Sequence, residues 1–253
     1  MTEGYVQSKT KNHITTIEFY HPAQNSLPGY LLQQLSQKID EVGKDENTNL
    51  IILKSGGDRT FCAGASFHEL VAIDDYDTGK RFFMGFAGVI NSIRTCPKII
   101  VGRVQGKAVG GGVGIAAACD YCLATKMASI KLSELAVGIG PFVIGPAVER
   151  KIGLSAFSQM AINATEWQTA EWGKQKGLFT EAFESLEQLD AYVEHFTNDL
   201  VKKSPEALKQ LKKIFWEGTD HWPPTMEQRA EISGKLILTD FAKNAIQSFL
   251  QGR

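Results

Sequence analysis

A run of three glycines, residues 110–112, lies near the middle of the chain and strongly constrains how it can fold. The run follows the apolar residues 99–101 and precedes the small apolar residues 115–118. This order predicts a strand that leads into a tightly packed helix beginning near Gly111. Glycines leave their backbone N–H groups unshielded, and the N-terminus of a helix carries the positive end of the helix dipole. The sequence therefore predicts a site where backbone N–H groups meet an anion or a developing negative charge.

Length and charge narrow the class of protein. The chain has 253 residues, of which 43% are hydrophobic and 22% are charged, so it can bury a full core. Its net charge of −1 gives no general electrostatic attraction to nucleic acid or to a membrane surface. No segment approaches the roughly 20 apolar residues of a membrane span, and the N-terminal segment lacks an apolar stretch of signal-peptide length. We therefore expect a cytoplasmic enzyme that has neither a nucleic-acid nor a membrane partner.

The cysteines and histidines do not follow a metal-binding pattern. Cys62, Cys96, Cys119 and Cys122 lie inside or beside apolar segments, and no pair of them is matched by a second pair or by histidines at ligand spacing. The five histidines show no paired i, i+4 spacing either. We expect buried, reduced thiols and no metal site.

Strand and helix patterns alternate along the first two thirds of the chain. Residues 13–19 and 50–53 are apolar or β-branched and predict strands. Apolar side chains three and four residues apart predict one helix after Pro28, and another over residues 82–93 that ends before Pro97. Each unit places a loop of small residues after a strand and before a helix. The pattern favours parallel or spiral stacking of repeated units.

From about Glu166 onward the sequence predicts mainly helices. One of them is lysine-rich and has apolar side chains that recur on one face. We expect these apolar side chains to form a packed stripe beneath an exposed, charged face. The stripe consists of Ala207, Leu208, Leu211, Ile214 and Phe215.

The glycine run also matches part of a dinucleotide-binding fingerprint. Gly112, Gly114 and Ala117 have the G-x-G-x-x-A spacing, and Glu134 follows about twenty residues later. That fingerprint normally opens the first unit of its domain, whereas almost half of this chain precedes it. The pattern therefore favours a nicotinamide or flavin enzyme only weakly.

Four segments together carry a more specific signal. They are residues 61–66 (FCAGAS), the glycine run, residues 117–120 (AACD) and residues 133–138 (SELAVG), in this order and at these distances. In these segments the chain resembles the enoyl-CoA hydratase/isomerase (crotonase) superfamily, and the resemblance extends from about Ile14 to Leu250. It implies an α/β fold, with a spiral core of repeated ββα units over residues 1–195. A helical C-terminal region over 196–253 would then form a homotrimer or homohexamer.

The resemblance also implies roles for individual residues. The backbone N–H groups of Ala65 and Gly111 would form an oxyanion hole for the thioester carbonyl of an acyl-CoA substrate, and Glu134 would be the catalytic acid/base. No metal and no cofactor besides the substrate's own CoA is implied. Further substrate-binding positions are matched by Ser26, Leu27, Ala63, Ser66, Phe67, Gly110, Gly114 and Pro141.

The chain departs from the family pattern at one position in particular. Hydratases of the best-known type use two glutamates, and the first of them is matched here by Gly114. Glu134 would then be the single general acid/base, its pKa raised by apolar neighbours such as Leu135 and Val137. The space left at Gly114 would admit a branched or polar acyl group, or a water.

Three functional alternatives remain open from the sequence. A single carboxylate suffices to move a double bond, which favours an isomerase. Residues 138–146 resemble a subgroup assigned to methylglutaconyl-CoA-type hydratases, so water addition stays possible. The missing carboxylate is also compatible with a non-catalytic CoA-binding or scaffold protein.

Overall fold

The computed structural model describes residues 4–251, which form ten strands and ten α-helices. The strands are β1 Tyr5–Lys11, β2 Ile14–Tyr20, β3 Leu50–Ser55, β4 Thr60–Cys62, β5 Ile99–Val104, β6 Lys107–Val109, β7 Tyr121–Thr125, β8 Ser129–Lys131, β9 Gln168–Thr169 and β10 Glu181–Phe183. The helices are α1 Gly29–Lys44, α2 Phe67–Ala72, α3 Tyr76–Thr95, α4 Gly111–Ala118, α5 Gly145–Ile162, α6 Ala170–Gln175, α7 Leu186–Leu200, α8 Pro205–Phe215, α9 Trp222–Leu236 and α10 Asp240–Gln251. A short 3₁₀ helix spans Glu134–Val137.

The larger sheet has the strand order β1-β2-β3-β5-β7-β10. Only the β1–β2 pair is antiparallel, and the other neighbours run parallel. Leu50 pairs with Ile99 in the register of β3 and β5, and every residue of β5 is buried. A strand covered on both faces reads as a continuous apolar run, which is why residues 50–53 and 99–101 were recognisable in the sequence.

The smaller sheet, of order β4-β6-β8-β9, positions the candidate site. β4, β6 and β8 run parallel, so their carboxyl ends lie at the same edge of the sheet. Ala63 follows β4, Gly110 follows β6, and Glu134 comes three residues after β8. The three segments that the sequence singled out therefore meet at one edge, although they are widely separated along the chain.

Three of the predicted helices are confirmed, and the first two of them bury an apolar face. α1 begins directly after Pro28 and buries Leu31, Leu35 and Ile39. α3 packs against α1, and the Ser36 and Ser92 hydroxyls hydrogen-bond across the contact at 2.7 Å. α4 begins at Gly111 as predicted, and all eight of its residues are buried, so it is a central core helix without a polar face.

The C-terminal third is less purely helical than the sequence suggested. β9 and β10 lie beyond Glu166, and β10 extends the larger sheet by pairing with β7. Strands of two and three residues are too short to show an alternating pattern, so periodicity could not find them. We keep the division into a core and a helical C-terminal region as a proposal, and its boundary between residues 195 and 196 lies inside α7.

The packed stripe expected on α8 is wrong for most of its members. Leu208 is buried, but Leu211, Ile214 and Phe215 are exposed. The side chain that α8 buries beside Leu208 is instead Lys212, whose Nζ lies 2.6 Å from Oδ2 of Asp120. The lysine becomes a core residue because its ammonium group also donates to the backbone carbonyl of Ile93 at 2.8 Å.

The four cysteines are free and buried, as expected. Across residues 4–251, no helix is long and apolar enough to span a membrane. The same part of the chain contains no cluster of three or more His, Cys, Asp or Glu side chains that could hold a metal ion.

Candidate active site

A pocket with about 70 Å³ of space for water-sized molecules lies at the carboxyl ends of β4, β6 and β8. Helices α2 and α3 and the segment between Gly138 and α5 close it from the other side. Its walls are almost entirely apolar and aromatic, and Glu134 is the one ionisable residue among the described residues that line it. The apolar walls include Phe67, Leu70, Phe83, Phe86, Phe142 and Ile144.

Gly110 allows the Glu134 carboxyl group to lie against the backbone. Gly110 has φ 52° and ψ −117°, a conformation that side chains rarely adopt. A Cβ at this position would lie 2.8 Å from Oε1 of Glu134. The Gly110 N–H donates to the carbonyl of Lys131 at 2.8 Å, which ties the end of β6 to the end of β8. Glycine is therefore required here both for its conformation and for the close approach of the carboxyl group.

The Glu134 carboxyl group is held in a dry environment. Part of the residue's surface is exposed, but its Oε2 is sealed from solvent and has no hydrogen-bond partner among the described residues. Burial raises the pKa of Glu134 to about 7, and a hydrogen bond from its own backbone N–H offsets this only partly. A carboxyl group with such a pKa can both accept and release a proton near neutral pH.

One of the two apolar neighbours predicted to raise this pKa lies outside the pocket. Leu135 is 49% exposed and does not line the pocket. Val137 does line the pocket, as expected. In a 3₁₀ helix, consecutive residues face different directions, so adjacency in sequence was a poor guide to contact.

The loop after β4 holds Ala65 with its N–H group directed away from the neighbouring segment. Leu27 pairs with Ala65 in a parallel bridge: its N–H donates to the Gly64 carbonyl at 2.8 Å, and its carbonyl accepts from the Ser66 N–H at 3.3 Å. Because Leu27 bonds both residues that flank Ala65, the N–H of Ala65 points to the opposite side. No acceptor for it is found within residues 4–251.

Gly111 supplies a second unpaired N–H group. It is the first residue of α4, so no preceding helical turn offers it an acceptor, and the described residues provide none elsewhere. A Cβ on Gly111 would overlap the ring of Phe86, and one on Gly112 would lie 2.6 Å from the Cys62 carbonyl oxygen. The glycine run therefore brings the start of α4 against both the aromatic wall and the end of β4. Ala65 and Gly111 both line the pocket.

The space expected beside Gly114 is filled. A Cβ on Gly114 would lie 2.7 Å from both Cβ and Cγ2 of Ile144, and 3.3 Å from Cδ1 of Ile90. Ile144, not Gly114, lines the pocket. The expectation of a vacancy at this point was wrong, because the apolar side chain that fills it comes from a segment thirty positions later in the chain.

A wider cavity of about 820 Å³ adjoins the pocket and shares Ala63, Phe67 and Val109 with it. Two lysine ammonium groups lie over the indole of Trp167 here, with the Nζ of Lys131 4.5 Å and the Nζ of Lys107 5.2 Å from the ring centroid. Burial, and to a smaller degree the charge of Lys107, lower the pKa of Lys131. The cavity thus combines an exposed aromatic face with positive charge.

Comparison with known proteins assigns the family. The family model described as "Enoyl-CoA hydratase/isomerase" matches residues 9–253. The chain belongs to this family. The family predicted from the sequence motifs is therefore confirmed. The prediction of an enzyme that acts on acyl-CoA thioesters is confirmed at the level of the family.

Individual relatives are distant but similar over most of their length. The chain is 25% identical to a probable enoyl-CoA hydratase of Bacillus subtilis over 246 residues, covering 95% of this chain and 93% of the relative. It is 28% identical to the human mitochondrial methylglutaconyl-CoA hydratase over 201 residues, covering 78% and 59% of the two chains. The crystal structure of an enoyl-CoA hydratase from Bacillus halodurans superposes with a TM-score of 0.88 at 22% identity, covering 96% and 99%. The predicted α/β crotonase-type fold with a helical C-terminal region is confirmed by this likeness.

The other residues predicted to bind substrate lie at different places in the structure. Ala63, Phe67 and Pro141 line the pocket. Ser66 is the N-cap of α2, where its hydroxyl accepts from the Glu69 N–H at 3.4 Å. The Leu27 side chain is completely buried, so its contribution is the backbone bridge to Ala65. Substrate contacts at these residues, and at Ser26, Gly110 and Gly114, stay predictions.

Sequence reasoning missed much of the pocket wall. Phe83 and Phe86 line the pocket from α3, and Ile139, Phe142 and Ile144 line it from the segment before α5. The spacing of apolar residues over 82–93 indicated a buried helix face, but a helix face against a pocket and one against the core have the same pattern. The resemblance of residues 138–146 to one subgroup of the family was the one signal that pointed to this wall.

Proposed function

We propose that this protein is an acyl-CoA enzyme of the enoyl-CoA hydratase/isomerase type in which Glu134 is the single general acid/base. The observation that carries the proposal is the Glu134 carboxyl group, which has a pKa of about 7 and a sealed, unpartnered Oε2 in an apolar pocket. The unpaired N–H groups of Ala65 and Gly111, which line the same pocket, support the oxyanion hole. They would donate hydrogen bonds to the thioester oxygen when it becomes negatively charged.

The reaction that fits a single carboxylate best is migration of a double bond. The ionised Glu134 takes a proton from C2 of a 3-enoyl thioester, and the electrons of that C–H bond form an enolate whose negative charge lies on the thioester oxygen. Hydrogen bonds from Ala65 and Gly111 stabilise this oxyanion, each donor contributing about 3 kcal/mol. Glu134 then returns the proton to C4, and the product is the 2-enoyl thioester. A pKa near 7 suits both steps, because the group must first accept and then release the proton.

Water addition is the second candidate. It is favoured by the names of the relatives, which include a short-chain-enoyl-CoA hydratase and a methylglutaconyl-CoA hydratase. The site gives it less support, because Ile144 fills the volume beside Gly114 and no second carboxylate lines the pocket among the described residues. A methylglutaconyl-type substrate carries a carboxylate of its own, and the pocket wall offers that group no cation.

The nucleotide part of CoA fits the wider cavity. Its phosphates would lie near Lys107 and Lys131, and its adenine would stack on Trp167. This assignment extends the CoA contacts predicted at Ser26, Leu27 and residues 63–67 along the same face of the smaller sheet. We further propose a homotrimer or homohexamer in the cytoplasm, with the exposed Leu211, Ile214 and Phe215 of α8 as part of the subunit contact.

A proton NMR experiment in D₂O tests the proposal. Wild-type protein is incubated with 2-enoyl-, 3-enoyl- and 3-methylglutaconyl-CoA thioesters, beside Glu134→Gln and the control Glu166→Gln, which alters an exposed glutamate. We expect the 3-enoyl thioester to convert to the 2-enoyl isomer with deuterium uptake in wild type and control, and no conversion in Glu134→Gln. A 3-hydroxyacyl product would establish the hydratase instead. Binding without any turnover would favour the scaffold alternative.

A further inference from the structure

Ile144 and Gly114 compete for one volume in the wall of the pocket. Ile144 is the residue immediately before α5 and is 4% exposed. Its Cβ and Cγ2 both come within 2.7 Å of the place where a Cβ on Gly114 would lie. A side chain at position 114 and the isoleucine at position 144 therefore exclude each other. The pocket is bounded at this point by the branched side chain, with Ile90 behind it.

We propose that Ile144 determines the substrate range of this site, by closing the pocket to all but a short, uncharged, apolar acyl chain. The inference rests on the proposed function, because it concerns the acyl group of the same CoA thioester. Two features of the wall carry it. The pocket leaves about 70 Å³ for water-sized molecules, and its lining next to Ile144 consists of Phe142, Val143 and Ile139.

The charge of the wall excludes a second carboxylate on the acyl chain. Glu134 is the one ionisable residue among the described residues that line the pocket, and it is acidic. A carboxylate at the end of the acyl chain would lose its water, find no cation and face Glu134 across a small cavity. Thioesters of monocarboxylic acids are therefore the class that the pocket accepts, and dicarboxylic acyl-CoA esters are rejected.

Binding of unreactive, saturated thioesters tests this inference apart from turnover. Affinities for butanoyl-, hexanoyl-, octanoyl- and glutaryl-CoA are measured by calorimetry for wild type, Ile144→Ala and Ile152→Ala. The control removes the same atoms from a buried position within α5 that does not line the pocket. In Ile144→Ala, the ratio of octanoyl- to butanoyl-CoA affinity is expected to rise roughly tenfold or more over wild type, and in the control it stays at the wild-type value.

Each outcome of this measurement decides the inference. An unchanged chain-length profile in Ile144→Ala overturns it, and so does wild-type binding of glutaryl-CoA as tight as that of butanoyl-CoA. If none of the thioesters binds to wild type, the inference fails together with the proposed function. If the profile changes as expected but no enoyl thioester is turned over, the proposed acid/base chemistry fails and the assignment of Ile144 holds.

The melting temperature supplies a readout that is independent of any ligand. Gly114→Ala introduces the Cβ that clashes with Ile144, so its melting temperature is expected to fall by roughly 5 °C. Adding Ile144→Gly removes both clashing atoms, Cβ and Cγ2, and the double variant should be less destabilised than the sum of the two single variants. Strictly additive changes would contradict the shared volume on which the inference depends.

Discussion

Replacing Glu134 by glutamine is expected to change how the stability of the protein depends on pH. The buried carboxyl group has a pKa of about 7 in the folded protein, against 4.5 as its ordinary value. Between these two values the unfolded chain loses the proton while the folded protein keeps it, so wild-type stability falls as the pH rises. Above about 7 the folded protein must hold a buried carboxylate. Glutamine has nearly the same shape and no proton to lose, so it does not incur this cost.

The size of the effect follows from the change in pKa. At about 1.4 kcal/mol per tenfold change in proton affinity, a rise from 4.5 to about 7 corresponds to roughly 3 kcal/mol. The difference in unfolding free energy between Glu134→Gln and wild type should therefore shift by this amount, in favour of the variant, between pH 4.5 and pH 8. For a chain of this length, the matching shift in melting temperature is roughly 6 °C or more.

Chemical denaturation at a series of pH values measures this directly. Wild type, Glu134→Gln and the exposed-site control Glu166→Gln are unfolded in urea from pH 4.5 to pH 8. The free energy of unfolding of the control should change with pH as that of wild type does, and the free energy of unfolding of Glu134→Gln should follow a different pH dependence. A constant stability difference between Glu134→Gln and wild type across this range would refute the reasoning, because the carboxyl group would then have the same pKa in the folded and unfolded states.

Three further substitutions test the site and its support. Gly111→Ala should lower kcat/KM roughly 100-fold in the NMR-monitored reaction, because the new Cβ would overlap the Phe86 ring and displace an oxyanion donor; wild-type kinetics would contradict the role of this N–H. Trp167→Leu should weaken binding of CoA thioesters roughly tenfold in calorimetry but leave binding of the matching pantetheine thioester unchanged. An equal loss of affinity for both ligands would show that the nucleotide does not bind in this cavity. Lys212→Met should lower the free energy of unfolding by about 3–5 kcal/mol in urea titrations, because Asp120 would remain buried without its cation, and an unchanged midpoint would show that the pair is dispensable.

The parts of the fold that could be predicted are those with a strong local pattern. α1 and α3 each repeat apolar residues over several turns, so their buried faces were visible in the sequence. The glycine run was informative for a different reason: its close contacts with Glu134, Phe86 and Cys62 admit no side chain. Glycines that are required for this reason can be recognised in the sequence even when the residues that they contact are unknown.

The parts that could not be predicted depend on contacts between distant segments. Ile144 fills the volume beside Gly114, and nothing in either local sequence indicates that they meet. Lys212 looked like a surface lysine until its partner Asp120 was known, since the two are far apart in the chain. β10 is a strand only because it pairs with the edge of β7. In each case tertiary contacts override the local preference.

The pH dependence of the initial reaction rate tests the central claim most directly. Glu134 must be ionised to remove a proton from the thioester, so kcat/KM for the reacting enoyl-CoA should rise with pH and level off above about 7. The rise should be absent in Glu134→Gln, together with deuterium uptake from D₂O. A wild-type rate that is constant between pH 5 and pH 8, or deuterium uptake that persists in Glu134→Gln, would contradict the assignment of Glu134 as the acid/base.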